Sequence, residues 1–194
     1  MKYFVLALIS LFLYSCQSKF PEKEFIGNSS HRLVNQDSVM VDFPKKYGGK
    51  ILLVSFIFTN CPDICPLTTH NLQRIQQKVK KEKIDNVSFA AISFDPERDT
   101  PSVLKNFTEV RNLDLSNYSL FSGKREDIKL LMEKFHIVAI RGDTTFTDDG
   151  DPVYFFTHTD RIALVDQDMN IRKSYKGSEI NLEEIINDIK NLGD

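Results

Sequence analysis

The apolar positions of the chain fall into three kinds of pattern. The first is continuous. "ILLVSFIF" (Ile51 to Phe58) and "VSFAAISF" (Val87 to Phe94) are unbroken runs rich in β-branched and aromatic residues, which is how strands buried on both faces read. The second pattern recurs at helical spacing. Thr68, Leu72, Ile75 and Val79 make one stripe, after a Pro66 that suits a first helical turn. Leu104 and Phe107 begin another, after Thr100 and Pro101 as N-cap and first helical residue. Ile128, Leu131, Met132 and Phe135 make a third stripe, and Leu182, Ile185, Ile186 and Ile189 a fourth. The third pattern is short and bounded by turn residues. "HRLV" and "SVMVDF", separated by "NQD", predict a hairpin, "YSLF" and "HIVAI" predict short strands, and "RIALVDQDMNIRKSYKG" predicts two strands joined at "QDMN". Residues 142 to 153, "GDTTFTDDGDPV", read as an exposed insertion. Strand–helix–strand–helix, then an antiparallel pair and a last helix, predicts an α/β domain: a central mixed sheet flanked by helices, with an added N-terminal β-hairpin.

The N-terminus departs from this alternation. "MKYFVLALISLFLYSC" has one lysine and an apolar run from Tyr3 to Tyr14. A membrane span needs ~20 apolar residues, so the run fits the core of a signal peptide better. It ends in Leu13-Tyr14-Ser15-Cys16, which resembles a bacterial lipobox, although Tyr14 is bulkier than the usual occupant. The expected organisation is a lipoprotein signal peptide over 1–15, a lipidated Cys16 with a flexible tether over 16–30, and one domain over 31–194. An uncleaved anchor or an ordinary secretory signal would also export the domain. The expected place is the cell envelope, lipid-anchored to a bacterial membrane with the domain outside the cytoplasm.

Composition narrows the partners. With 41% hydrophobic and 27% charged residues the chain is globular, and its net charge of -2 gives no electrostatic reason to bind nucleic acid. The basic stretch Lys78 to Lys83 reads as the solvated end of a helix.

The chemistry lies in the cysteines. If lipid consumes Cys16, only Cys61 and Cys65 of the three remain, in "FTNCPDICPLTT". Outside the cytoplasm two thiols oxidise unless a reductant or a metal holds them. A structural staple is a weak reading, because so short a loop removes little chain entropy. One helical turn from Cys61 to Cys65 would bring both sulfurs to one face. Two convergent thiolates suit Cu(I) or zinc, and a disulfide is equally open to them. A metal needs a third ligand. Of the four histidines, His31 reads as a surface residue of the hairpin, His70 as solvated and His136 as a helix end. His158 is the candidate, since its connection can return beside the carboxyl end of the first buried strand. An ordinary loop histidine is the even alternative.

Three motifs together carry a resemblance. "FIFTNCPDICPLTT", "SFDPERDTP" and "YFFTH", with Tyr154 four residues before His158, are similar to the signatures of the SCO/SenC family, in its order. The resemblance covers roughly Arg32 to the C-terminus. It implies a thioredoxin-like fold with extra N-terminal strands. It implies copper, as Cu(I) with Cu(II) as a second state, held by Cys61, Cys65 and His158. It implies copper delivery to, or thiol maintenance at, the binuclear copper centre of cytochrome c oxidase, with its copper-receiving subunit, or another copper acceptor, as partner. Thr157 stands where some members have an acidic residue, and the preceding loop carries Asp143, Asp148, Asp149 and Asp151. Asp63 either nears the metal or faces water. Asp95 and Asp99 either orient the site or serve the turn and the helix cap.

Three functions use the same atoms. They are a copper metallochaperone, a membrane-tethered thiol–disulfide oxidoreductase in which Cys61 and Cys65 are the redox pair, and a zinc site. Thioredoxin-type enzymes resemble one another in a proline directly before the strand that faces the active site. Here Thr157, His158, Thr159 and Asp160 precede "RIALVD", and the nearest proline is Pro152. That favours copper.

Overall fold

The computed structural model describes Phe20, residues 24–150 and residues 152–193. The expected signal peptide, Cys16, residues 17–19 and 21–23 of the expected tether, and Asp151 lie outside the described residues. Among those described, no helix is long and apolar enough to cross a membrane.

The two continuous apolar runs are the middle of the molecule. Strand β4 (Ile51–Ile57) and strand β5 (Val87–Ser93) are buried at every position and pair in parallel from Ile51↔Val87 to Ile57↔Ser93. They are preceded by β1 (Glu24–Phe25), β2 (His31–Asn35) and β3 (Met40–Phe43). Helix α1 (Ile64–Lys81) joins β4 to β5, and α2 (Pro101–Val110) joins β5 to β6 (Tyr118–Gly123), which lies parallel to β5. After α3 (Arg125–Lys134) comes an excursion of four short strands: β7 (Ala139–Arg141), β8 (Thr145–Phe146), β9 (Pro152–Val153) and β10 (Phe156–His158). The chain returns through β11 (Ile162–Val165) and β12 (Asn170–Tyr175) to α4 (Leu182–Gly193).

The main sheet has the order β1-β12-β11-β4-β5-β6-β2-β3. Three parallel strands form its centre, and antiparallel strands extend it on both sides. α1 and α4 pack together beside β4 and β5, while α2 and α3 cover β6 and β2. Each helix buries the stripe its spacing predicts: Leu72, Ile75 and Val79 from α1, Leu104 and Phe107 from α2, Ile128 and Leu131 from α3, Ile185, Ile186 and Ile189 from α4. Thr100 caps α2 as expected, its hydroxyl accepting from the Val103 N–H at 3.4 Å with Pro101 at N1.

Three expectations are revised. The segment read as tether contains β1: Glu24 pairs with Ile171, Phe25 with Asn170, and Ile26 is fully buried against the core. The alternation in "EFI" was too short to read as a strand. His31 is buried, with Nδ1 at 3.1 Å from an Asp127 oxygen, because β2 is an inner strand between β3 and β6 and not one arm of an isolated hairpin. The strand expected from "HIVAI" starts only at Ala139, since His136 and Ile137 finish the helix. The Ile137 N–H donates to Met132 O, and His136 sits at φ +53°.

Candidate metal centre

Strand β4 delivers the chain to the site, and the buried Phe58 follows it. The Cys61 N–H then donates back to Phe58 O at 3.3 Å. Helical bonding begins at Ile64, so Cys65 is the second residue of α1 and Cys61 lies in the turn ahead of it. The expected helical turn from Cys61 to Cys65 is therefore absent. Pro62 drives Cys61 away from helical dihedrals, and Asp63, exposed at φ −131° and ψ −81°, stays outside them as well. The sulfurs converge by another route. The Cys65 N–H donates to Cys61 Sγ at 3.5 Å. The Cys61 sulfur thus takes a free helix N–H that a capping oxygen normally takes, and the Asp63 side chain makes no cap bond.

His158 comes from the far excursion. Strands β7 and β10 pair as a two-stranded ribbon with His158 opposite Ala139, and the chain then enters β11, where Ile162 faces Ser55 of β4. The order of elements thus brings the end of β10 beside the carboxyl end of β4. His158 Nε2 lies 3.5 Å from Cys65 Sγ. Its Nδ1 is 3.1 Å from Thr159 O, a carbonyl that can only accept. The proton therefore belongs on Nδ1, and Nε2 presents its lone pair to the sulfurs, as a metal-ligating imidazole requires.

The ligand atoms of Cys61, Cys65 and His158 all lie within 4.8 Å of one another, a group of the kind that could hold a metal ion. Metal–ligand bonds of ~2.0–2.3 Å put neighbouring ligand atoms about 3.5–4 Å apart, so closure on an ion needs only a small contraction. Cys65 is 1% exposed, whereas Cys61 and His158 are partly open to solvent. Among the described residues both cysteines are free thiols. The hydrogen bond from the Cys65 thiol holds Cys61 down to about 4, helped by the Cys65 and Asp63 N–H groups, against the cost of burial. The same bond, with burial, pushes Cys65 up. One proton serves two sulfurs, and Cys61 carries the charge.

Asp95 and Asp99 hold the two halves of the site. Asp99 is buried and accepts from the Thr59 N–H at 3.0 Å, the Thr59 hydroxyl at 2.6 Å and the Ser93 hydroxyl at 2.6 Å. It therefore pins the turn two residues before Cys61, and burial raises its carboxyl despite these donors. Asp95, also buried, accepts from the Tyr154 hydroxyl at 2.8 Å, four residues before His158. The α2 cap falls to Thr100, so both carboxyls orient the site. Sequence reading did not reach Thr59, or the link from Tyr154 to Asp95. Nor did it reach the aromatic bed, in which Phe94 lies 5.6 Å from Phe58, 5.1 Å from Phe156 and 5.0 Å from the His158 ring. These partners lie within the three quoted motifs, but nothing in the sequence pairs one with another. His70 and His136 are exposed and apart from the site, with His136 beside Glu24.

A family model described as SCO1/SenC matches residues 21–194. Several solved structures share the fold. A SCO1/SenC family lipoprotein from Bacillus anthracis str. Ames has a TM-score of 0.73 at 30% identity, covering 91% of this chain and 99% of that one. BsSco, a member of the Sco family of cytochrome c oxidase assembly proteins in which a disulfide switch was identified, has a TM-score of 0.71 at 29% identity, covering 90% and 96%. Bradyrhizobium japonicum ScoI with copper bound has a TM-score of 0.69 at 29% identity, covering 84% and 98%. This chain and they share the mixed, thioredoxin-like fold, and in this chain β2 and β3 pair as the N-terminal hairpin.

Proposed function

The chain belongs to the SCO1/SenC family, and on that premise we propose that it is a copper-binding metallochaperone for the binuclear copper centre of cytochrome c oxidase. The observation that carries this reading is the meeting of two sulfurs and one bare imidazole nitrogen within 4.8 Å, on segments that are distant in sequence. Thiolates favour the soft ion Cu(I), and the nitrogen lets the same set hold Cu(II). Three ligands leave a position for an incoming ligand from the acceptor, which is what a carrier needs. The copper-bound relative supports the choice of copper over zinc.

Export and anchoring belong to the same reading. The chain starts with a signal peptide over 1–15, carries lipid on Cys16, and displays the domain outside the cytoplasm on a bacterial membrane. "LYSC" and the similarity to a SCO1/SenC lipoprotein support this. Intact-mass analysis of membrane-extracted protein tests it, and an unmodified Cys16 removes it.

The second reading is a membrane-tethered thiol–disulfide oxidoreductase, favoured by the charged, partly exposed Cys61 beside a buried Cys65. Exchange needs the two sulfurs alone, whereas copper carriage needs His158. The experiment is complementation of a deletion strain at low external copper, reading oxidase activity and copper content. His158→Ala is expected to fail nearly as badly as Cys61→Ala. Full rescue by His158→Ala at normal protein level, with both cysteine variants failing, would leave the oxidoreductase.

A further inference from the structure

The ribbon that carries His158 has two faces of opposite kind. Register puts Arg141 opposite Phe156, Ile140 opposite Thr157 and Ala139 opposite His158. Side chains alternate along each strand. Ala139, Phe156 and His158 therefore turn inward to the site. Ile140 turns outward, and the bonds linking Val138 to Thr159 and Gly142 to Phe155 continue the same register on either side. The water-facing side of such a ribbon is ordinarily polar. Here it holds Val138 at 57%, Ile140 at 62% and Phe155 at 50% exposure. The ribbon continues through Asp143 into the β8–β9 hairpin, whose turn holds Asp148 and Asp149; all three carboxylates are exposed and have no ion-pair partner among the described residues.

We infer that the outer face of the β7–β10 ribbon is the docking surface for the protein that takes copper from this site, and that this partner is apolar at its centre and basic at its rim. The inference rests on the metallochaperone reading. An exposed apolar patch marks an interaction surface, and an acidic border selects and steers a basic partner. The position also has a use. The cysteines stand on the β4–α1 junction of the main sheet, whereas His158 stands on the ribbon. A partner that grips the outer face acts on the nitrogen side of the ligand set and leaves the sulfurs in place.

The test uses the full chain, copper-loaded, with the soluble domain of the oxidase subunit that carries the binuclear copper centre. Second-order transfer rates are measured at limiting concentrations. Ile140→Asp and the double variant Ile140→Asp/Phe155→Asp are expected to lower the rate at least tenfold. Copper stoichiometry and the sulfur and nitrogen scattering of the donor should be unchanged. Val110→Asp, an equally drastic change at a position 73% exposed on α2, should transfer like the wild type. Asp148→Lys/Asp149→Lys and added salt should each slow the wild-type rate several-fold. A double variant within twofold of wild type overturns the docking surface while leaving the chaperone intact. A wild type that dimerises and becomes monomeric with Ile140→Asp assigns the face to a second copy and overturns it as well. A wild type that transfers no copper removes the chaperone reading, and the docking surface with it.

Discussion

Cys61 and Cys65 look alike in the sequence and differ in the fold. Cys61 sits in a turn where N–H groups and a neighbouring thiol support its charge, and Cys65 is walled in beneath it. Thiolate is the reactive form. Because Cys61 is held down to about 4, its thiolate persists as pH falls toward that value. In the reduced, metal-free protein, iodoacetamide should label Cys61 at pH 6 about as fast as at pH 8, while an ordinary thiol would slow roughly a hundredfold. Peptide mass mapping checks this, and Cys65 should stay unlabelled until the protein unfolds. A second prediction concerns Tyr154→Phe. It removes one buried hydrogen bond and leaves Asp95 without its side-chain donor, so urea unfolding should show a loss of about 1–3 kcal/mol. Copper affinity should fall about tenfold, as for other partners that orient a ligand, with Cys61 labelling unchanged. The cysteines were legible because they are local to one motif, and His158 because element order predicts where it returns. The pairing of Thr59 with Asp99 and of Tyr154 with Asp95 was not, because these bonds span 40 and 59 residues and nothing local to either motif announces them.

Helix ends teach a different lesson. α1, α2 and α3 all finish in the same way, with a left-handed residue just past the cap: Lys83 at φ +55°, Asn112 at +49° and His136 at +53°. The next N–H in each case closes on a carbonyl five residues back: Ile84 on Val79, Leu113 on Thr108 and Ile137 on Met132. Glycine normally occupies this position, because a side chain there costs about 1 kcal/mol. Apolar stripes told where these helices lie, but the stops were hidden because none is marked by glycine. Lys83 is exposed, so Lys83→Gly tests the cost cleanly. It should stabilise the protein by about 0.5–1 kcal/mol, a rise in Tm of roughly 1–4 °C by calorimetry. An unchanged or lower Tm would mean that the lysine contributes more than its backbone strain removes.

At the scale of the molecule, the two sides of the sheet differ in what holds them. The parallel centre is specified twice, by continuous burial and by the helices that cross over it, and it was fully legible. The β1 edge is specified only by its partner. Two paired residues and the buried Ile26 attach it to β12 and Met169, and Ile26 N–H donates to Met169 O at 2.9 Å. A chain started at His31 should therefore be less stable than one started at Phe20. Burial of Ile26 alone is worth about 1.5–3 kcal/mol, and urea midpoints of the two forms check it. The proposed ligand set, split between two parts of the fold, has a consequence of its own for amide exchange. Cys65 belongs to a helix anchored on the central sheet, whose amides open only when much of the fold opens. His158 belongs to a three-residue strand paired to one other three-residue strand, whose amides open in small local events. An ion bound to all three side chains joins the slowly exchanging part to the rapidly exchanging one, and ligation adds its binding free energy to every opening that must break it. Copper should thus slow exchange at Thr157, His158 and Thr159 far more than at the residues of β4 and β5. Loading of the site would then be recorded in the hydrogen isotope content of a single short peptide, without any spectroscopic signal from the metal.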